Sequence, residues 1–155
     1  MTRGRPVRAD YVAWRTVTTR WRDDDAYGHL NNATYYELFD TAVNAHLYDA
    51  TGLDIRVLPQ IGVVAETSCR YYRELGFPSP IETGLVVDKV GTSSVVYRIG
   101  LFQGDPAGDG AEAAAEGRFV HVYVDNTAPI TPGRARPVTP VPDPIRAAVL
   151  PLLRP

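Results

Sequence analysis

The sequence predicts an α+β domain in which one long helix is enclosed by an antiparallel sheet. Three observations predict it. From Asn32 to Thr51, Tyr35, Leu38, Phe39, Ala42 and His46 recur at spacings of three and four, the period of a helix with one buried face. After Pro59 the pattern changes to strand-like runs over Ile61–Arg73, Ile81–Val90, Ser94–Gln103 and Ala114–Asp125, separated by turn residues. One helix beside that many strands can cover its apolar face only if the sheet curves around it.

Each element follows in order. Residues 1–13 are polar and basic and read as a loose lead-in. Trp14 to Trp21 reads as a first strand, β-favouring through Val17, Thr18 and Thr19. The strand ends at Arg22 and leaves Asp23, Asp24 and Asp25 in a loop. Gly28 gives that loop conformational freedom, and Asn31 and Asn32 offer side-chain oxygens to cap a helix. The helix then spans about 30 Å, with Gly52 as its stop.

In Ile61–Arg73, alternation places Val63, Ala65, Thr67, Cys69 and Tyr71 toward the helix. Val64, Glu66, Ser68, Arg70 and Tyr72 fall on the other face. Glu74–Pro80 is a turn, Gly91-Thr92-Ser93 closes a hairpin, and Gly104–Gly110 is a polar loop. Thr127–Pro144 is an extended, proline-rich segment, and Ile145–Leu153 is a short amphipathic piece broken at Pro151. The expectation is one domain over residues 1–155, with residues 127–155 as a Pro-rich tail ending in a short helix.

Composition narrows the function classes. A net charge of −2 and a pI near 5.9 give no support for nucleic-acid binding. No run approaches the ~20 apolar residues of a membrane span, and the N-terminus lacks the apolar core of a secretory signal. No membrane partner is expected, and the default location is cytoplasmic. A single cysteine, Cys69, excludes an intramolecular disulfide, and the three histidines are too scattered for a metal site. The chain has no G-x-S-x-G elbow, no G-x-x-x-x-G-K-[ST] and no strand-linked G-x-G-x-x-G. Serine-hydrolase, nucleotide-triphosphate and dinucleotide chemistry therefore have no footing.

What remains is an acidic loop delivered to a helix N-terminus. That terminus offers free backbone N–H groups and partial positive charge, which suit an oxyanion. Asp25 is the principal candidate for catalysis, and a carboxylate can serve either as nucleophile or as the base that activates water. His29 is a second candidate, since its unperturbed pKa lies near neutrality.

The motif Arg20-x-x-Asp23-x-Asp25-x-x-Gly28-His29-x-Asn31-Asn32-x-x-Tyr35-x-x-x-Phe39-Asp40 resembles the signature of hotdog-fold acyl-CoA thioesterases of the 4-hydroxybenzoyl-CoA thioesterase type. Arg22 and Asp24 depart from that pattern. The resemblance implies a hotdog fold and hydrolysis of an acyl-CoA, with catalysis assigned to Asp25 and the oxyanion amide to Asn32. Coenzyme A enters as part of the substrate and no further cofactor is implied. Substrate contacts are expected from Gly28, Asn31, Tyr35 and Glu66. Arg70 and Arg73 are candidates for the coenzyme A phosphates. The family also implies a homodimer or homotetramer with the pocket at the dimer seam. Two rival readings stay open: a non-catalytic acyl-ligand binder, and a thioesterase for carrier-protein-bound acyl chains.

Overall fold

A computed structural model describes residues 3–104 and 108–155. Its main elements are β1 (Ala13–Val17), α1 (Asn32–Thr51), β2 (Gln60–Tyr71), β3 (Ile81–Val90), β4 (Ser94–Gln103), β5 (Ala115–Asp125) and α2 (Asp143–Val149). The five strands form one antiparallel sheet in the order β1-β3-β4-β5-β2. The sheet wraps α1, the hotdog arrangement that the sequence predicts.

The helix begins and ends where its chemistry dictates. The Asn31 side chain accepts a 2.9 Å hydrogen bond from the Ala33 N–H, and Gly52 closes the helix at φ +66° with its N–H donating to the Tyr48 carbonyl. Between the caps, Tyr35, Leu38, Phe39, Ala42, Val43 and Leu47 form the buried stripe. Phe39 lies directly over β5 at Gly117, where an added Cβ would stand only 2.6 Å from its ring. Glycine at 117 is thus a close-approach requirement, and it sets the distance between helix and sheet.

Strand boundaries for β3 and β4 match the sequence expectation, and β5 begins one residue later. The first strand is shorter than expected. It stops at Val17, and Trp21 sits on a 3-10 turn (Trp21–Asp23), fully outside the sheet and edge-on to Phe77 at 5.8 Å.

The largest correction concerns β2. Its register against β5 shifts between Val64 and Glu66, so Ala65 sits in a bulge. Directly paired residues share a face, and Gly117, Phe119 and Tyr123 point toward the helix side. Their partners Cys69, Thr67 and Gly62 therefore face inward, as does Val64 opposite His121. Thr67, Cys69 and Tyr71 lie on the expected side; Val63 and Val64 are exchanged. One extra residue inverts the alternation on the N-terminal side of the bulge, and alternation alone carries no sign of it.

The lead-in is also not loose. The described residues 3–12 lie across the outer face of the sheet, where Tyr11 is 6% exposed and covers Gly84 and Gly100. Tyr11, Val86, Phe102 and Ala113 make a small second core there. The Arg8 guanidinium sits 4.0 Å from the Trp14 ring centroid. Beyond β5 the chain runs extended and pairs Val138 with Val124. It then delivers Ile145, Ala148 and Val149 of α2 into the main core beside α1. The polar loop expected at 104–110 lies partly outside the described residues.

Replacing Gly117 by Ala should press Phe39 off the sheet. Overpacking of this kind costs about 1–3 kcal/mol. The expected result is a lower denaturant midpoint at unchanged m-value in an equilibrium unfolding titration.

Candidate active site

Residues 20–30 build the loop in front of α1, and Asp23 fastens it. Its carboxylate, 6% exposed as a residue, accepts from the Arg20 backbone N–H (2.7 Å) and from the Arg20 guanidinium at 2.8 and 3.1 Å. Burial by itself would raise the Asp23 pKa, but these hydrogen bonds and the Arg20 charge outweigh it and hold the group below the usual carboxylate range. The Asp23 carbonyl in turn accepts from the Asn31 N–H at 2.8 Å. Asp24 turns the other way and accepts from the Phe77 N–H at 3.0 Å. Two of the three aspartates are thus structural.

Asp25 is the one that faces a cleft. Its N–H donates to the His29 carbonyl (2.9 Å), its carbonyl accepts from the Gly28 N–H (3.1 Å), and its Oδ1 accepts from the Tyr27 N–H (2.8 Å). The turn closes through Gly28 at φ +85°, a conformation natural to glycine. His29 Nδ1 lies 3.6 Å from Asp25 Oδ2, and its Nε2 lies 3.9 Å from Glu74 Oε1. The imidazole therefore bridges two carboxylates at ion-pair range, stacked on the exposed ring of Tyr27.

Asp25, His29, Leu30, Asn32, Tyr35 and Arg73 share a cleft of roughly 360 Å³ with Tyr71, Tyr72 and Glu74. Asn32 is the first helical residue, and its N–H meets no protein acceptor among the described residues. The Tyr71 hydroxyl donates to the Asn32 side-chain oxygen, and the Tyr71 ring stands edge-on to Tyr35 at 4.9 Å. Burial, followed by the neighbouring Cys69, pushes the Tyr71 phenol well up, so it remains a donor at neutral pH. The Cys69 thiol is itself pushed up to about 11 by burial. It is a protonated, packed side chain rather than a nucleophile.

The predicted site residues divide cleanly. Asp25, His29, Asn32, Tyr35 and Arg73 come together in the cleft, while Gly28 and Asn31 shape its turn and cap. Glu66 and Arg70 stand outside it on the outer face of the sheet. Glu66 pairs with Arg118 at 3.1 Å, and Arg70 lines a separate groove with Ser68, Arg98 and Arg118. Tyr72 borders both the cleft and this groove. Sequence reading missed Leu30, and at the end of β2 Tyr71, Tyr72 and Glu74, as cleft residues. The last three join the cleft because the end of β2 and the turn after it lie level with the start of the helix, a relation that no local sequence pattern carries. Among the described residues no group of three or more His, Cys, Asp or Glu side chains could hold a metal ion, and no helix is long and apolar enough to cross a membrane.

Residues 19–149 match the thioesterase-like superfamily, and the chain belongs to that family. It is a hotdog thioesterase by fold and class. It is 42% identical to the PA5185 protein from Pseudomonas aeruginosa strain PAO1, over 97% of each chain with a TM-score of 0.84. The PA2801 protein of Pseudomonas aeruginosa, a candidate thioesterase, is 30% identical over 87% of this chain and 95% of its own (TM-score 0.72). A 4-hydroxybenzoyl-CoA thioesterase with one aspartate changed to asparagine, complexed with 4-hydroxybenzoyl-CoA, shares the fold. Its identity is 15%, over 88% of this chain and 97% of its own, with a TM-score of 0.72. No curated protein matches the chain in sequence.

Gly28→Val tests the turn. Open space surrounds position 28, so the cost comes from φ alone, about 1–2 kcal/mol for a left-handed residue with a side chain. Expected are a modest fall in melting temperature and a much larger loss of thioesterase activity, measured on the same preparation.

Proposed function

We propose that the chain hydrolyses acyl-coenzyme A thioesters, releasing free coenzyme A and a carboxylic acid. The observation that carries this reading is the shared cleft of Asp25 and the Asn32 N–H, a carboxylate and an unengaged helix-terminal donor at one small opening. Family membership supplies the thioester, and the coenzyme A ester bound by the 4-hydroxybenzoyl-CoA relative supports the choice of substrate class.

In this reading the thioester carbonyl sits between the two groups. As a base, Asp25 takes a proton from water while the oxygen adds to the carbonyl carbon. As a nucleophile, it attacks that carbon and forms a mixed anhydride that water then opens. In either case the carbonyl oxygen gains negative charge, and the Asn32 N–H with the helix N-terminus stabilises it before coenzyme A leaves as the thiol. One such donor lowers a barrier by about 3–4 kcal/mol. The Tyr71 hydroxyl holds the Asn32 side chain and so steadies the first helical turn. His29 positions the Asp25 carboxylate and links it to Glu74.

The chemistry needs no metal or redox group, since carboxylate, water and amide suffice. Arg73 at the cleft and Arg70 across Tyr72 are the cations placed to meet the phosphorylated end of the substrate. The acyl group lies against Tyr35 and Tyr71, and a carrier-protein thioester would present the same reacting atoms.

Asp25→Asn should lower kcat about 10²–10⁴-fold with an unchanged circular-dichroism spectrum, whereas Asp24→Asn, whose amide oxygen can still accept from Phe77, should be mild. Free-thiol release from a panel of acyl-CoAs reads both. A wild-type chain that binds acyl-CoA yet liberates no thiol would mark a binder instead. Label in the Asp25 carboxylate after a single turnover in ¹⁸O-water would establish the nucleophilic route, with water opening the anhydride at the Asp25 carbon.

The working unit in this reading is a homodimer or a homotetramer of two dimers. β2 is a long edge strand, and Val63, Val64 and Tyr71 along it are each 40–50% exposed. An unpaired edge of this kind is best satisfied by its two-fold copy. Sedimentation should give at least a dimer at assay concentrations. A stable, fully active monomer would sink this part of the proposal.

A further inference from the structure

The outer face of the sheet carries a second opening, a groove of roughly 300 Å³ across β2, β5 and β4. Its cations are placed against the usual rule for sheets. Arg98 on β4 and Arg118 on β5 are direct partners across the ladder, and both line the groove. Ser68 stands opposite Arg118 on β2, and Arg70 follows two residues along on the same face. Like charges directly opposite one another cost stability, so each must be neutralised or the arrangement serves something beyond the fold.

Only one of the three is neutralised firmly. Asp88 at 2.6 Å and Glu116 at 3.3 Å hold Arg98 between them. Arg118 reaches Glu66 at 3.1 Å, but the two side chains are 44% and 69% exposed, a pairing that solvent reduces to little. Arg70 faces Glu116 across the ladder, yet that carboxylate is already taken by the Tyr11 hydroxyl, Arg98 and Arg3. Arg70 is left with no carboxylate at ion-pair range among the described residues. Two guanidinium groups and the Ser68 hydroxyl therefore line one groove with their donors free or loosely held.

That donor set selects its ligand. The planar fork of arginine matches two oxygens of a phosphate, and the carboxylates in the wall, Asp88 and Glu116, are occupied by Arg98 and do not oppose an incoming anion. The volume is that of a small-ligand site rather than of a single ion. Tyr72 borders this groove and the Asp25 cleft alike, so an extended molecule can occupy both.

We propose that the groove is a phosphate-ester site, in which Arg70 and Arg118 grip phosphate oxygens beside Ser68. Two sources share this chemistry: the phosphorylated end of the thioester, reached over Tyr72, and a separate nucleotide. The first source rests on the thioesterase reading; the site itself does not.

The test titrates inorganic pyrophosphate and ADP into the intact chain by calorimetry. Saturable binding is expected, weaker as salt rises. Arg118→Gln and Arg70→Gln should each weaken it about tenfold. Glu66→Gln releases Arg118 from its competing carboxylate and should tighten it, an effect opposite in sign to that of losing a structural ion pair. No saturable binding by the wild type, or binding that neither arginine variant weakens, would overturn the proposal. Kinetics then name the source. A higher KM for an acyl-CoA at unchanged kcat in Arg118→Gln, with no change for the same acyl group on phosphate-free pantetheine, assigns the groove to the substrate. Unchanged KM for both esters, with pyrophosphate binding lost, assigns it to a separate phosphate ester. If no ester releases thiol, the thioesterase reading fails while the titration still decides the site.

Discussion

The structure depends on how closely α1 approaches the sheet. Phe39 meets β5 where Gly117 offers no side chain, and the aromatic rings of Tyr36 and Phe119 close around that contact at 5.8–6.1 Å. Burying a phenylalanine contributes about 1.5–3 kcal/mol. Its positional consequence matters more. With the helix axis fixed two turns into its length, its N-terminus can stand in only one place relative to the end of β2. The Asn32 N–H, the Tyr71 hydroxyl and the loop that carries Asp25 all take their positions from that placement.

The loop then has to reach the helix start without slack. Arg20 and Asp23 tie its beginning, the Leu30 N–H donates to the Leu75 carbonyl at 2.7 Å at its end, and Asp24 pairs with Leu30 in an isolated bridge. Between these ties the chain must turn within five residues, and Gly28 absorbs the turn with a positive φ. Asp25 is therefore aimed by backbone hydrogen bonds on both sides rather than by side-chain packing. A carboxylate held this way keeps one oxygen engaged with the Tyr27 N–H and presents the other toward the cleft and His29.

Much of this is legible in the sequence because it is local. The helix period, the Asn31 cap, the Gly52 stop and the β3–β4 hairpin each depend on residues close in the chain, and their boundaries agree with the structure. The acidic loop is legible for the same reason. What the sequence conceals is set by distant partners. The bulge at Ala65 exists only in the register with β5, and it exchanges Val63 with Val64. Tyr11 looks like part of a polar lead-in until Gly84 and Gly100 clear a place for its ring. Glu66 and Arg70 were assigned to the expected face of their strand, yet that face lies away from the cleft, and nothing local to β2 reveals which face the helix N-terminus borders. Tyr71 and Tyr72 enter the cleft because the last residues of β2 lie level with the first turn of α1, a relation made through β5 and the core.

The edge position of β2 ties these observations together. The residues of a central strand are flanked by a neighbour on each side, but β2 has β5 on one side only. Its Tyr71 is half exposed while also donating to Asn32 and packing on Tyr35. The residue that steadies the start of the helix thus stands on the least supported strand of the sheet. A strand with a free edge frays more readily than one paired on both sides, because each opened residue breaks fewer backbone hydrogen bonds. Pairing this edge with a second copy of the same strand would remove that freedom at Tyr71, and with it at the Asn32 amide. The order of the candidate active site is in this way tied to how firmly the free edge of β2 is held.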